Sequence, residues 1–170
     1  MAKTNIVIVL GLPGSGKSYF ASRLAEMLNA EYVNSDRLRK ELFPKRTYSK
    51  SEKAQVYDAL LKKMQTAIAQ KKYVVLDATF HNRAIREPFI GSGEDHIVFI
   101  EVQADETITR ERLQEDRPYS EADLTVYKLI KRQWEPLKRP HLTLRSTNDN
   151  IDAMLKRALQ YLKDDTRSDR

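Results

Sequence analysis

The sequence predicts an α/β fold in which a parallel five-stranded sheet is sandwiched between helices. Three observations predict it. Short apolar runs alternate with stretches of helical periodicity along most of the chain, the signature of strand–helix–strand units. The first run, residues 6–10, is apolar at every position, as befits a strand buried on both faces. A glycine-rich turn at residues 11–16 joins that run directly to a helical pattern. Parallel strands joined in this way require right-handed crossovers.

The elements follow in order. After the first strand, residues 17–28 place Phe20, Leu24, Met27 and Leu28 at helical spacing. Residues 31–34 read as a second strand, and residues 36–42 as a short helix stopped before Pro44. Residues 51–70 carry Tyr57, Leu60, Leu61, Met64 and Ile68 on one face, a long amphipathic helix. Strands are expected at 73–76, 96–102 and 142–144. Helical patterns occupy 105–115 and 121–134 between the last two, and 151–162 closes the chain. Residues 1–163 therefore form one domain, with 164–170 a frayed tail.

Composition narrows the classes. The chain is 170 residues long with 41% apolar and 32% charged residues, a globular balance rather than a disordered one. No apolar run reaches the eighteen or so residues of a membrane span, and the apolar stretch near the N-terminus is too short for a signal-peptide core. Cysteine is absent. That removes disulfides and thiolate metal sites and fits a cytoplasmic location. The net charge of +6 raises the prospect of a polyanionic partner, a nucleic acid or a phosphorylated metabolite.

Residues 11–18, Gly-Leu-Pro-Gly-Ser-Gly-Lys-Ser, match G-x-x-x-x-G-K-[ST] in full, between a buried strand and a helix. In a P-loop of this kind, backbone N–H groups turn inward onto phosphate oxygens and the helix N-terminus adds its dipole. Lys17 would reach the β- and γ-phosphates of ATP or GTP, and the Ser18 hydroxyl would ligate Mg²⁺. Gly11, Pro13, Gly14, Ser15, Gly16, Lys17, Ser18 and Tyr19 are the expected nucleotide-binding positions.

Two carboxylates sit at expected strand ends, the edge where open α/β sheets bind ligands. Asp77 follows the third strand and is placed to hold Mg²⁺ or its water, or to cap a helix. Asp36 follows the second and is placed to take a proton from an attacking hydroxyl, or to cap the next helix. Arg39, three residues on, shares its helical face and is a candidate for binding an anionic acceptor or the moving phosphoryl group. The arginines of residues 110–120 suit a lid that closes on phosphates, with Arg117 stabilising transition-state charge and Arg112 beside the nucleotide; the alternative is a solvated face balanced by Glu111, Glu115 and Asp116.

Residues 37–50 hold six Lys/Arg against one Glu, interleaved with Phe43 and Tyr48. Such a stretch binds a polyanion and stacks bases, or is simply a solvated helix and loop. The three histidines lack a metal-ligand spacing; His81, beside the Asp77-Ala-Thr turn, is placed to touch an acceptor. Trp134 reads as core.

These residues together resemble the P-loop kinase-like proteins of the AAA-type "ATPase" group, close to the 5′-hydroxyl polynucleotide kinases and the zeta-toxin-like kinases. The matching segments are GLPGSGKS, NSDRLRKEL, VYDALLKKM, VVLDATFHNRAIR and the stretch from Glu111 to Leu137. The resemblance implies a P-loop NTPase fold with sheet order 2-3-1-4-5. It implies that Asp36 is the general base and that Arg39 binds acceptor phosphate and leaving charge. It also puts the nucleotide base at the loop 146–150, with Asn148 as a contact. Tyr19 departs from the threonine usual at its position, and residues 90–95 look shorter than the usual helix and loop there. The function expected is Mg²⁺-dependent transfer of the ATP γ-phosphate to a hydroxyl, leaning to the 5′-hydroxyl of a nucleic acid. A kinase of a nucleoside, sugar or sugar nucleotide is the rival within enzymes, and a regulatory ATPase the rival outside phosphoryl transfer.

Overall fold

No position of Ile6–Leu10 is polar, and all five side chains are fully buried, so this strand (β1) takes the centre of the sheet. The computed structural model describes residues 4–115 and 123–165. After β1 come α1 (Lys17–Leu28), β2 (Glu31–Asn34), α2 (Ser35–Leu42), α3 (Lys50–Gln70) and β3 (Val74–Asp77). They are followed by α4 (Arg83–Gly93), a 3₁₀ turn (Glu94–His96), β4 (Ile97–Ala104), α5 (Glu106–Leu113), α6 (Leu124–Gln133), β5 (Leu142–Ser146) and α7 (Ile151–Lys163). All strand pairs are parallel, and the spatial order is β2-β3-β1-β4-β5.

The pleat sends alternate residues of β1 to opposite faces, and each set meets its own helical layer. Ile6, Ile8 and Leu10 join Leu38, Leu60, Met64 and Phe89 under α2, α3 and α4. Val7 and Val9 join Phe20, Leu24, Met154 and Leu155 under α1 and α7. Each fully buried aliphatic side chain in either layer contributes about 1.5–3 kcal/mol. Tyr57, Phe80 and Phe89 pack edge-to-face in the first layer, with ring centroids 5.0–6.5 Å apart.

Several expectations shift. The turn of α1 buries Phe20, Ala21, Leu24 and Ala25, which leaves Met27 exposed; the buried stripe is narrower than the apolar spacing suggested. The short helix begins at Ser35, and its cap is Asn34, whose side chain accepts from the Arg37 N–H. Asp36 thus lies in the first turn and is not the cap. The third strand runs through Asp77, the fourth through Ala104 and the fifth through Ser146, because ladder pairing extends beyond the apolar runs. Residues 83–93 form a full helix, α4, where the sequence looked short. Asn82 caps it, and Arg86, Phe89 and Gly93 are its buried face. Its Pro88, Gly91 and Gly93 disguise it, since each is a poor helix former. At Gly93 the helix lies close to α3: a Cβ would stand 2.8 Å from the Ile68 Cδ1.

Candidate active site

The turn after β1 is built by close approach. A Cβ on Gly11 would lie 2.5 Å from the Val102 carbonyl oxygen of β4, so only glycine lets the chain leave the sheet there. Gly16 caps α1 with φ +91, and a Cβ on it would lie 2.6 Å from Ser146 Oγ and 2.9 Å from Arg112 Nη1. The Ser15 N–H donates to the Leu12 carbonyl at 3.1 Å and closes the loop. The first-turn amides of α1 then point into a cavity of about 450 Å³, within the ordinary range for a small-ligand site.

Of the residues singled out from sequence, Gly14, Gly16, Lys17, Ser18 and Tyr19 line this cavity, with Asp36, Arg112 and Asn148. The fold thus brings four separate stretches to one space. Arg112, near the end of α5, donates to the Gly14 carbonyl (3.2 Å), to Ser146 Oγ (3.0 Å) and to the Thr147 carbonyl (2.9 Å), with Asn148 Oδ1 at 3.5 Å. It bridges the phosphate loop to the loop after β5. Tyr19 lies at the rim, 54% exposed, with the Arg23 guanidinium 3.3 Å from its ring centroid. Gly11, Pro13 and Ser15 lie buried behind the loop. Ser15 Oγ has no hydrogen-bond partner, and the residue borders a second cavity of about 370 Å³ beside α6. Its role in the cradle, like that of Pro13, rests on the backbone. Arg117 lies outside the described residues.

Asp77 is fully buried at the C-terminal end of β3, level with Asn34 of β2 and Val9 of β1. Its Oδ2 accepts from the Tyr32 hydroxyl at 2.6 Å and from Asn34 Nδ2 at 2.8 Å. Asn34 Nδ2 also lies 3.3 Å from Ser18 Oγ, and Ser18 hydrogen-bonds Tyr32 as well. Burial, and then the neighbouring Asp77 carboxylate, push the Tyr32 hydroxyl above the ordinary tyrosine range, so it stays a donor. Asp77 Oδ1 has no partner. The Ser18 hydroxyl on the cavity wall and, buried behind that wall, a carboxylate with one oxygen spare have the chemistry that suits a hard cation such as Mg²⁺. Among the described residues no group of three His, Cys, Asp or Glu side chains could hold a metal, so the remaining ligands would be phosphate oxygens and water. Asp77 does not cap α4; Asn82 does.

Arg39 is half-buried and does not border the cavity. Its Nη1 donates to Glu52 Oε1 at 3.1 Å, and its guanidinium lies 4.7 Å from the Tyr48 ring centroid. Glu52, buried at the start of α3, also accepts from the Thr47 N–H (2.8 Å) and hydroxyl (3.1 Å) and from the Tyr48 N–H (3.3 Å). Burial alone would raise its pKa; the Thr47 and Tyr48 hydrogen bonds and the Arg39 charge outweigh that and hold it below the usual glutamate range. These bonds also hold Tyr48 at φ 54, a left-handed backbone that a tyrosine rarely adopts. Glu52 was not singled out from sequence, although the Ser49-x-x-Glu52 spacing is a helix-start signal and Ser49 does cap α3. Asn34 and Tyr32 were missed too, since a short strand offers no pattern that marks them.

His81 is 2% exposed. Its Nε2 faces Lys53 Nζ at 3.3 Å and Asn82 Nδ2 at 3.4 Å, and its Nδ1 has no partner. Burial first, then the Lys53 and Arg86 charges, lower its pKa to about 4, so the ring is neutral. Trp134 packs against the first core layer, with the Arg86 guanidinium 5.3 Å from its ring. No helix among the described residues is long and apolar enough to cross a membrane.

The model of a family described as an AAA domain matches residues 6–137. No curated protein matches the chain in sequence. Among solved structures the chain is similar to an unliganded sugar kinase from Janibacter sp. HTCC2649, with TM-score 0.73 and 16% identity over 94% of this chain and 95% of that one. It is similar to Kti12 from Chaetomium thermophilum in complex with ADP-AlF3, with TM-score 0.71 and 18% identity over 94% and 97%. It is also similar to APS kinase from Mycobacterium tuberculosis in complex with AMPPNP and APS, with TM-score 0.68 and 20% identity over 96% and 99%.

Proposed function

We propose a function for this chain, which belongs to the AAA domain family and has the P-loop kinase-like fold with sheet order 2-3-1-4-5: Mg²⁺-dependent transfer of the ATP γ-phosphate to a hydroxyl acceptor. The observation that carries this reading is the position of Asp36 on the wall of the cavity that Lys17 and Ser18 also line. A nucleotide that is only bound and released needs no carboxylate there; an attacking hydroxyl does. ATP as donor is supported by the nucleotide complexes of Kti12 and APS kinase.

Phosphoryl transfer asks chiefly for positioning and charge stabilisation. The amides of the loop and of the first turn of α1 would hold the β-phosphate, with Lys17 spanning it and the γ-phosphate. Arg112 would hold the loop against the nucleotide, and Asn148 would stand at its base. Asp36 would orient the acceptor and take its proton. Arg39, fixed by Glu52, would meet the acceptor's own anionic group, and Arg117 would close on the transferring phosphoryl. Ser18 and Asp77 would hold Mg²⁺, which would supply positive charge against that of the phosphates.

The acceptor we favour is the 5′-hydroxyl end of a nucleic acid. Its support is the run of six basic residues between 37 and 50 beside Asp36, with Tyr48 52% exposed among them. A small acceptor is the second reading, supported by the sugar kinase and APS kinase likenesses. The test is transfer of labelled γ-phosphate across DNA, RNA, nucleosides and sugars, with Lys17→Ala as the inactive control. Product on a 5′-hydroxyl oligonucleotide supports the first reading, and product only on a nucleoside or sugar supports the second. ATP hydrolysis that no hydroxyl compound stimulates would leave a regulatory ATPase and refute both.

A further inference from the structure

The Tyr32 hydroxyl stands where three polar side chains meet, and its single proton has one destination. At 2.6 Å that proton goes to Asp77 Oδ2, and the Tyr32 oxygen then accepts from Asn34 Nδ2 at 3.3 Å and from the Ser18 hydroxyl. Asn34 adds its own bond to the same carboxylate oxygen at 2.8 Å. Two donors therefore converge on Asp77 Oδ2, while Oδ1 of this fully buried carboxylate has none. The ring is held by packing against the second core layer, so the hydroxyl arrives on a rigid support.

A carboxylate used in this way can present one oxygen and not two. Ca²⁺ gathers six to eight oxygens, often by bidentate carboxylates, whereas Mg²⁺ takes six in a tight octahedron with carboxylates bound singly. We propose that Tyr32 is a positioning residue for divalent-cation selectivity: together with Asn34 it fills both lone-pair positions of Asp77 Oδ2 and so leaves the carboxylate a single oxygen for the cation, which favours Mg²⁺ over the larger Ca²⁺. Partners that orient a metal-binding carboxylate are commonly worth 10–100-fold in metal affinity. The inference rests on the nucleotide-binding reading of the cavity but not on the identity of any acceptor.

The experiment is calorimetric titration of ADP into wild type and Tyr32→Phe, in EDTA and across a range of Mg²⁺ or Ca²⁺. Phenylalanine keeps the ring and its packing and removes only the hydroxyl; a melting transition in EDTA within a few degrees of wild type verifies that. The expected result is unchanged ADP affinity in EDTA and a roughly tenfold higher Mg²⁺ requirement for the metal-dependent gain. The Ca²⁺ requirement should stay level or fall, so that the Mg²⁺ over Ca²⁺ preference drops about tenfold. An unchanged preference overturns the proposal, and so does an equal loss of affinity in EDTA, which would mark Tyr32 as structural. Wild type that binds ADP with no gain from either cation overturns the metal site itself.

Discussion

The Arg112 guanidinium donates to the Gly14 carbonyl, so a residue 98 positions further along the chain is tied to the phosphate loop itself. The same side chain holds Ser146 and Thr147, and the two loops that line the cavity are thereby set at one spacing. A Cβ on Gly16 would collide with that same guanidinium and serine.

Arg112→Ala should therefore loosen both loops at once. The expected outcome is an ATP dissociation constant raised about tenfold, the equivalent of one charge-assisted hydrogen bond. Arg112→Lys should recover little, because an ammonium cannot span three acceptors in a fork. Calorimetry decides it; wild-type affinity in the alanine variant would reduce Arg112 to a surface contact.

Asp36→Asn keeps the shape of the side chain and leaves the cap of α2 untouched, since Asn34 supplies it. Transfer to the acceptor should fall by about 10²-fold or more, as for a lost general base. Nucleotide affinity should hardly change. A variant with wild-type turnover would show that Asp36 is not the base.

His81 supplies a pH dependence of stability. Its pKa falls from the ordinary 6.5 to about 4 on folding, so between those values the unfolded chain holds a proton that the folded chain refuses. Stability is then complete above about pH 6.5 and declines as pH drops toward 4, by up to about 3 kcal/mol. Lys53 on α3 and Arg86 on α4 are the charges that face it. Denaturant melts of wild type and His81→Gln from pH 7 to pH 4.5 isolate this contribution; parallel curves would refute it.

The basic stretch makes its own test. If a nucleic acid lies along residues 37–50, its KM should rise steeply with salt, with a logarithmic slope near 0.7 per phosphate contact for a single strand. The exposed Lys45 and half-buried Arg46, replaced together by alanine, should reduce that slope by about 1.4, the share of two contacts. A flat response in wild type would turn the reading to a small, weakly charged acceptor.

How much of this was legible beforehand depended on whether a residue's reason is local. The loop of residues 11–16 was readable because its glycines are dictated by the turn they build, and β1 because burial on both faces permits no polar residue. Helix α3 was readable from its apolar stripe, though the stripe on α1 overcounted by Met27. Helix α4 was hidden because Pro88, Gly91 and Gly93 are poor helix formers, while the burial of Arg86, Phe89 and Gly93 that holds it is tertiary packing no local window contains. Tyr32 acts through a partner 45 residues distant, and nothing in its immediate neighbours announces it; the spacing of Ser49 and Glu52 marked a helix start but not the hold of Glu52 on Arg39, 13 residues back.

Asn34 divides one amide between two tasks. Its oxygen accepts from the Arg37 N–H and starts α2, and its nitrogen grips Asp77 and Ser18. The helix that carries Asp36 and the carboxylate that ends β3 are thus hung from the same planar group, which cannot rotate for one without turning for the other. A rotation of that group to follow α2 would change the donor geometry at Asp77.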